Sequence, residues 1–118
     1  MTTLLLADDS DLIRRQIKRV LEANPTVQLV AETDTYTETL RLARALLPDV
    51  VLLDMYMPGL KETSVEEIKN ACLKCRILLM SIHTNEEVME FAAKLGAETF
   101  LDKAKLFDDL IPAITKQN

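Results

Sequence analysis

The sequence contains little glycine, with only two glycines among 118 residues. Loops that cradle dinucleotides or nucleoside triphosphates through backbone N–H groups need several glycines at fixed spacing, as in GxGxxG or GxxxxGK[ST]. Neither pattern occurs in the chain. The shortage of glycine therefore excludes the usual backbone cradles for nucleotide phosphates.

Positive charge is also scarce, with 14 lysines and arginines against 19 aspartates and glutamates and a net charge of −5. Surfaces that bind nucleic acid and helices that lie on membranes need clustered cations, so this balance argues against both. No apolar run approaches the roughly 20 residues of a membrane span, and the N-terminus does not resemble a signal peptide. We therefore expect a cytoplasmic protein with no direct contact to membrane or nucleic acid.

Cysteine is limited to Cys72 and Cys75, which are spaced as C-x-x-C. A redox pair or half of a zinc site has this spacing, but the pair does not follow a strand pattern and no second ligand pair accompanies it. Thiols in a chain without a leader are expected to stay reduced. We predict two ordinary thiols near the end of a helix.

Five short apolar runs alternate with amphipathic helix patterns along the whole chain. The runs are Leu4–Ala7, Val27–Ala31, Val50–Leu53, Ile77–Ile82 and Thr99–Leu101. Runs that are apolar at nearly every position suit strands that are buried on both faces, as in a parallel sheet. We predict a single α/β domain over residues 1–118 with a three-layer, flavodoxin-like (βα)5 fold and a parallel five-stranded sheet of order 2-1-3-4-5.

Residues that start and stop helices fall between these runs. Ser10 suits the N-cap of the first helix, and the pairs Thr35 with Glu38, Ser64 with Glu67 and Thr84 with Glu87 fit capping boxes for the next three. Pro48 is expected to end the second helix, and Gly96 the fourth. Pro112 lies inside the fifth helix pattern, where a proline is expected to kink the helix.

Polar side chains stand where four of the predicted strands end. Strand 1 ends in Asp8 and Asp9, strand 3 in Asp54, strand 4 near Ser81, and strand 5 leads into Lys103. In the predicted order, strands 1 and 3 are neighbours at the point where the strand order reverses, so three carboxylates converge in one crevice. Like charges at close range raise one another's pKa, and a hard divalent cation such as Mg²⁺, which takes oxygen ligands, would relieve this.

This set of side chains suits phosphoryl transfer, which needs mainly positioning and charge neutralisation. An aspartate can be the nucleophile and form an acyl phosphate. Lys103 is a compact charge suited to a phosphoryl oxygen, and Ser81 can donate a hydrogen bond to another. Taken singly, each acid fits a helix cap or a loop residue, but the whole set at successive strand ends favours a phosphoryl site.

With these residues in place, the sequence resembles the receiver domains of bacterial two-component response regulators. The resemblance covers the whole chain and depends on Asp8-Asp9-Ser10, Asp54-Met55-Tyr56-Met57-Pro58-Gly59, Ser81, and the segment from Gly96 to Lys103. It implies a phosphoprotein in which Asp54 accepts a phosphoryl group from a histidine kinase or a phosphotransfer protein. It implies a signalling domain whose own chemistry is at most self-phosphorylation from small donors and autodephosphorylation.

The resemblance also implies a Mg²⁺ (or Mn²⁺) site. Asp9 and Asp54 would bind the ion directly, the backbone carbonyl of Tyr56 would be a third ligand, and Asp8 would act through the ion's water. Lys103 would pair with the phosphoryl group.

The resemblance also implies a conformational switch that involves two further positions. Ser81 would move toward the phosphoryl group, and Phe100 would turn inward with it. The face made by helix 4, strand 5 and helix 5 would then change for an output domain, a downstream protein or a second copy. Tyr56 and His83 would tune the lifetime of the acyl phosphate. The alternative is that these two are merely exposed loop side chains, and we do not assign His83 as a catalytic base.

Three departures from the family pattern are visible. Ala104 follows the lysine where many receivers have proline, which resembles receivers fused to helix-turn-helix transcription regulators of the LuxR type. Phe100 lacks the hydroxyl of tyrosine, and Leu60-Lys61-Glu62-Thr63 lacks the common Asp-Gly. We expect either a stand-alone receiver or the N-terminal part of a longer DNA-binding regulator.

Two alternative functions are kept. One is an aspartyl-phosphate phosphatase of the haloacid-dehalogenase type, which needs Asp-x-Asp after strand 1, whereas this chain has Asp8-Asp9. The other is a pseudo-receiver, an interaction module that never takes up phosphate.

Overall fold

The computed structural model describes residues 1–116, which form one fully parallel sheet with helices on both faces. The strands are β1 (Thr2–Ala7), β2 (Val27–Thr33), β3 (Val50–Asp54), β4 (Arg76–Ser81) and β5 (Thr99–Asp102). The helices are α1 (Asp11–Glu22), α2 (Tyr36–Leu46), α3 (Ser64–Ala71), α4 (Glu86–Leu95) and α5 (Leu106–Thr115), with a short 3₁₀ turn at Lys103–Lys105. The sheet order is β2-β1-β3-β4-β5, which confirms the predicted fold.

The alternation of side chains along the central strands divides the core into two layers. Leu4 and Leu6 of β1 pack with α1 and α5, whereas Leu5 and Ala7 pack with α2, α3 and α4. This follows from the two-residue period of a strand. Every residue of β3 is buried, while the edge strands β2 and β5 are partly exposed. The apolar runs therefore indicate full burial only for the centre of the sheet.

Several predicted helix ends are confirmed. The hydroxyls of Ser10 and Thr35 accept the backbone amides of Ile13 and Glu38. α2 ends at Leu46, two residues before Pro48. Gly96 ends α4 in the left-handed region at φ 75°, which glycine adopts without a Cβ clash. α5 remains helical on both sides of Pro112.

Two predicted caps are wrong. The helix α3 begins at Ser64 itself, and the hydroxyl of Ser64 accepts the amide of Lys61 instead, so it folds back toward the preceding loop. The N-cap of α4 is Asn85, whose side chain accepts the amide of Val88, and Thr84 lies one residue outside. Asparagine caps at least as well as threonine, and the chain offers both side by side.

The C-x-x-C pair lies at the end of α3 and in the turn before β4. Both thiols are free, as predicted, and both are buried; the Cys75 amide donates to the Cys72 carbonyl at 3.1 Å. Burial raises the pKa of the Cys75 thiol. Within residues 1–116, no helix combines the length and apolar character that crossing a membrane requires.

Candidate functional site

A cleft of about 520 Å³ lies at the carboxyl ends of the strands, where the sheet order reverses. It is lined by Asp9, Ser10, Ile13, Asp54, Tyr56, Ile82, His83 and Lys103. Asp8 follows β1 and Ser81 ends β4 at the same edge of the sheet, and both are completely buried. The fold therefore brings the predicted site residues together, except Phe100, which borders a separate groove.

Three carboxylates converge in this cleft. Asp8, Asp9 and Asp54 each offer an oxygen, and these oxygens lie within 4.8 Å of one another. Asp54 is 4% exposed, whereas Asp9 is open to solvent. Burial raises the pKa of Asp54 above its ordinary value; the ammonium of Lys103 opposes this effect, and the carboxylate of Asp8 adds to it.

The Lys103 ammonium faces this cluster. Its Nζ atom lies 2.6 Å from Oδ2 of Asp8 and 3.4 Å from Oδ1 of Asp54, and the side chain is 8% exposed. The close approach to Asp8 lacks hydrogen-bond geometry, so Oδ2 of Asp8 is a buried oxygen without a hydrogen-bond partner. The three carboxylates therefore retain an excess of negative charge that one ammonium does not neutralise.

The same local turn orients the side chain at the end of each of these strands. A side-chain oxygen accepts the backbone amide two residues further along the chain. The pairs are Asp8 with Ser10 at 2.8 Å, Asp54 with Tyr56 at 3.2 Å, Ser81 with His83 at 3.0 Å and Asp102 with Ala104 at 2.9 Å. Asp and Ser side chains form such turns readily. Asp8 and Asp54 are thus loop and strand-end residues with local turns, Asp102 caps the 3₁₀ turn, and these local roles coexist with the convergence of Asp8 and Asp54 in one cleft.

The donor set fits a hard divalent cation. Mg²⁺ and Mn²⁺ prefer carboxylate and carbonyl oxygens. The cleft supplies three carboxylates, and the buried oxygen of Asp8 has no hydrogen-bond donor. A cation at this position would remove the like-charge repulsion that the fold otherwise has to bear.

Two aromatic side chains stand at the mouth of the cleft. The rings of Tyr56 and His83 meet edge to face, with centroids 6.3 Å apart and planes at 84°. Tyr56 is 54% exposed. His83 is an exposed loop residue, but its ring meets the ring of Tyr56, two residues after Asp54.

The two predicted switch residues lie on neighbouring strands. Ser81 ends β4, and its hydroxyl accepts the His83 amide. Phe100 pairs in register with Leu79 and is partly buried. It borders a groove of about 180 Å³ that Met89 and Ala92 of α4 also line. The aromatic ring therefore has open space beside α4.

One residue that no sequence motif indicates also contacts this site. Arg14 of α1 donates to the backbone carbonyl of Asp8 at 2.5 Å. A lone arginine on the polar face of a helix carries no motif, so only the folded structure reveals this contact.

A profile of the response regulator receiver domain matches residues 4–115 of the chain. The chain belongs to this family. Receiver domains are signalling domains of two-component systems. Membership of this family argues against the haloacid-dehalogenase-type phosphatase.

Among relatives, this receiver domain is 32% identical over 113 residues to the nitrate/nitrite response regulator protein NarL of Escherichia coli K12, covering 95% of this chain and 52% of NarL. It is 30% identical over 115 residues to the response regulator UvrY of Escherichia coli O6:H1, covering 97% of this chain and 53% of UvrY. The chain thus spans about half the length of the curated relatives it matches.

Solved structures confirm the fold. The signal receiver domain of the response regulator NarL from Mycobacterium tuberculosis superposes with a TM-score of 0.84 at 29% identity, covering 98% of each chain. A LuxR-family two-component response regulator from Aurantimonas sp. gives a TM-score of 0.85 at 28% identity, covering 97% of this chain and 82% of that one. The family match and the LuxR-family neighbour both agree with the resemblance predicted from the sequence.

Proposed function

We propose that this receiver domain accepts a phosphoryl group on Asp54 from a histidine kinase or a phosphotransfer protein. The observation that carries the proposal is the convergence of the nearly buried Asp54 with two other carboxylates and the Lys103 ammonium. A carboxylate oxygen of Asp54 would attack phosphorus, and the bond from phosphorus to the donor's imidazole nitrogen would break with its electron pair leaving on nitrogen. The product is an acyl phosphate on Asp54.

We further propose that Asp9, Asp54 and the backbone carbonyl of Tyr56 hold Mg²⁺ (or Mn²⁺), with Asp8 acting through the ion's water. When bound, the ion would supply positive charge to the carboxylates and to the phosphoryl oxygens. Lys103 lies close enough to Asp54 to pair with a phosphoryl oxygen. The buried position of Asp54 excludes bulk water from one side of the new bond.

We propose that the phosphorylated state is transmitted through Ser81 and Phe100. The Ser81 hydroxyl is bonded to the His83 amide, so a shift of Ser81 toward the phosphoryl group would also move the loop before α4. The groove beside Phe100 gives its ring room to move against α4. These changes would alter the face formed by α4, β5 and α5, where an output domain, a downstream protein or a second copy would bind.

The similarity to LuxR-family regulators supports an output in transcriptional control.

The phosphoacceptor is tested by labelling with acetyl phosphate in Mg²⁺ buffer and by mass spectrometry. We expect one added phosphoryl group in the wild type and none in Asp54→Asn. The matched control is Asp34→Asn, an exposed aspartate in the loop after β2, which should label normally. Continued labelling of Asp54→Asn at another residue would contradict the assignment. A wild type that shows no label and no Mg²⁺-dependent response to beryllofluoride would indicate the pseudo-receiver alternative.

A further inference from the structure

Arg14 connects the acidic loop after β1 to two other elements. Its Nη1 atom donates to the Asp8 carbonyl at 2.5 Å, Nε donates to Oε1 of Glu32 in β2 at 3.0 Å, and Nη2 lies 3.1 Å from Oδ1 of Asp11 in α1. The side chain is only 15% exposed. All three guanidinium nitrogens are therefore engaged, and each holds a different part of the chain.

The anchor of this network on β2 is itself held in place. Lys18, one turn further along α1, donates to Oε2 of Glu32 at 2.9 Å, so the two carboxylate oxygens bind two different cations. The hydrogen bond from Lys18, supported by Arg14, holds the pKa of Glu32 below its ordinary value. Glu32 thus remains charged and fixed while Arg14 extends from it to Asp8.

The contact with the Asp8 carbonyl restrains the residue that follows. A peptide unit is planar, so fixing the carbonyl of Asp8 also fixes the amide of Asp9. The Asp8 carboxylate, bonded to the Ser10 amide at 2.8 Å, restrains the other side of Asp9. Within residues 1–116 the Asp9 side chain makes no hydrogen bond and no ion pair of its own. Its direction toward the cleft therefore depends on the backbone.

We infer that Arg14 is a positioning residue for the cation site: it holds the Asp8–Asp9 peptide so that the carboxylates of Asp8 and Asp9 face Asp54. The inference builds on the cation site of the proposed function. The planar fork of arginine matters, because a lysine ammonium is a single point charge and cannot serve three separated acceptors in the same way. Residues that orient metal ligands typically change metal affinity by about 10–100-fold when they are removed.

Electrostatic repulsion alone predicts the opposite effect of removing Arg14 on the Mg²⁺ affinity. Removing a cation near a Mg²⁺ site reduces repulsion of the ion and should strengthen binding. A loss of Mg²⁺ affinity in Arg14→Gln would therefore reflect lost positioning. The next residue offers a matched control, since Arg15 carries the same charge, is 64% exposed and, among residues 1–116, forms an ion pair with Asp11 at 3.5 Å.

The experiment compares Arg14→Gln, Arg14→Lys and Arg15→Gln by two measurements. Amide hydrogen exchange of residues 8–11 is followed in the metal-free protein, and Mg²⁺ affinity is followed by NMR titration of the same amides. We expect faster exchange and about tenfold weaker Mg²⁺ binding in Arg14→Gln, with Arg14→Lys between it and the wild type. Arg15→Gln should keep wild-type exchange and bind Mg²⁺ at least as tightly.

Glu32→Gln provides a second way to weaken the network if Arg14→Gln fails to fold. This substitution leaves the arginine in place but removes the charge that anchors it. It should speed hydrogen exchange of the same amides. The inference is overturned if Arg14→Gln or Glu32→Gln leaves both loop exchange and Mg²⁺ affinity at the Arg15→Gln level. The exchange measurement needs neither metal nor phosphoryl donor, so it succeeds or fails independently of phosphorylation on Asp54.

Discussion

The Nζ atom of Lys103 lies 2.6 Å from Oδ2 of Asp8, and both side chains are almost completely removed from solvent. The strands that precede them, β1 and β5, are not neighbours in the sheet, so the contact spans the carboxyl ends of β3 and β4. Lys103 also approaches Asp54 on β3. One ammonium therefore links three separate strands across the site.

Replacing Lys103 by methionine should destabilise the metal-free protein. The aliphatic stem is kept, but two buried carboxylates lose their cation, and breaking a buried charge pair typically costs about 3–5 kcal/mol. Urea denaturation at neutral pH measures the loss in the free energy of unfolding. Lys105→Met, at an exposed lysine two residues away, is the matched control and should change stability little. Equal stability of the two variants would contradict the role of Lys103.

Replacing Asp54 by asparagine should have the opposite effect on stability. The folded-state pKa of Asp54 is raised, chiefly by burial. The contribution of Asp54 to the stability of the wild type is therefore greatest below the unfolded pKa of about 3.9 and is lost as the pH rises through the folded pKa. Asparagine cannot ionise, so in EDTA at pH 7 Asp54→Asn should melt above the wild type. The difference should disappear at low pH.

Asp49 offers the control of opposite sign. Hydrogen bonds from the amide and hydroxyl of Thr3 hold the pKa of Asp49 below its ordinary value. Its contribution to stability is present above the unfolded pKa and is lost as the pH falls through the folded pKa. Asp49→Asn should therefore lower the melting temperature at pH 7. If both variants shift in the same direction, the electrostatic explanation for Asp54 is wrong.

The fold and most of the site could be predicted because they depend on local patterns. The two-residue period of β1, β3 and β4 and the caps at Ser10 and Thr35 are readable from neighbouring residues. The convergence of Asp8, Asp9 and Asp54 then follows from the strand order. Helix starts were less predictable where two capping residues stand together, because the loop geometry decides between them.

The start of α4 provides a direct test of this point. Asn85, whose side chain accepts the Val88 amide at 3.0 Å, is the N-cap, and Thr84 is not. Asn85→Ala should lower the free energy of unfolding by about 1 kcal/mol, since that is the typical cost of losing an N-cap side chain. Thr84→Ala, one residue away, should change it little. A larger loss of unfolding free energy in Thr84→Ala than in Asn85→Ala would instead support Thr84 as the N-cap, as predicted from the sequence.

Contacts between distant parts of the chain could not be read from the sequence. Arg14 and Glu32 lie 18 residues apart, and neither belongs to a motif. The same holds for the edge contact between Tyr56 and His83, which requires two loops to meet. The family resemblance suggested that these two positions matter, but the geometry of their contact became visible only in the fold.

That contact leads to a prediction about the lifetime of the acyl phosphate. The two rings cover one side of the cleft mouth, and the removal of either should admit water to the phosphoryl group more readily. We therefore expect Tyr56→Ala and His83→Ala each to hydrolyse the acyl phosphate faster than the wild type, by a few-fold. Decay of the phosphorylated form after removal of the donor, followed by mass spectrometry, measures the rate.

Comparing the Tyr56→Ala and His83→Ala variants distinguishes shielding of the acyl phosphate from proton transfer by His83. If the rings act together as a cover, the double variant should be little faster than either single variant, because each ring depends on the other for its position. If His83 were a catalytic base, His83→Ala would slow hydrolysis instead. Lys61→Ala, in the exposed loop before α3, serves as the control and should leave the decay rate unchanged.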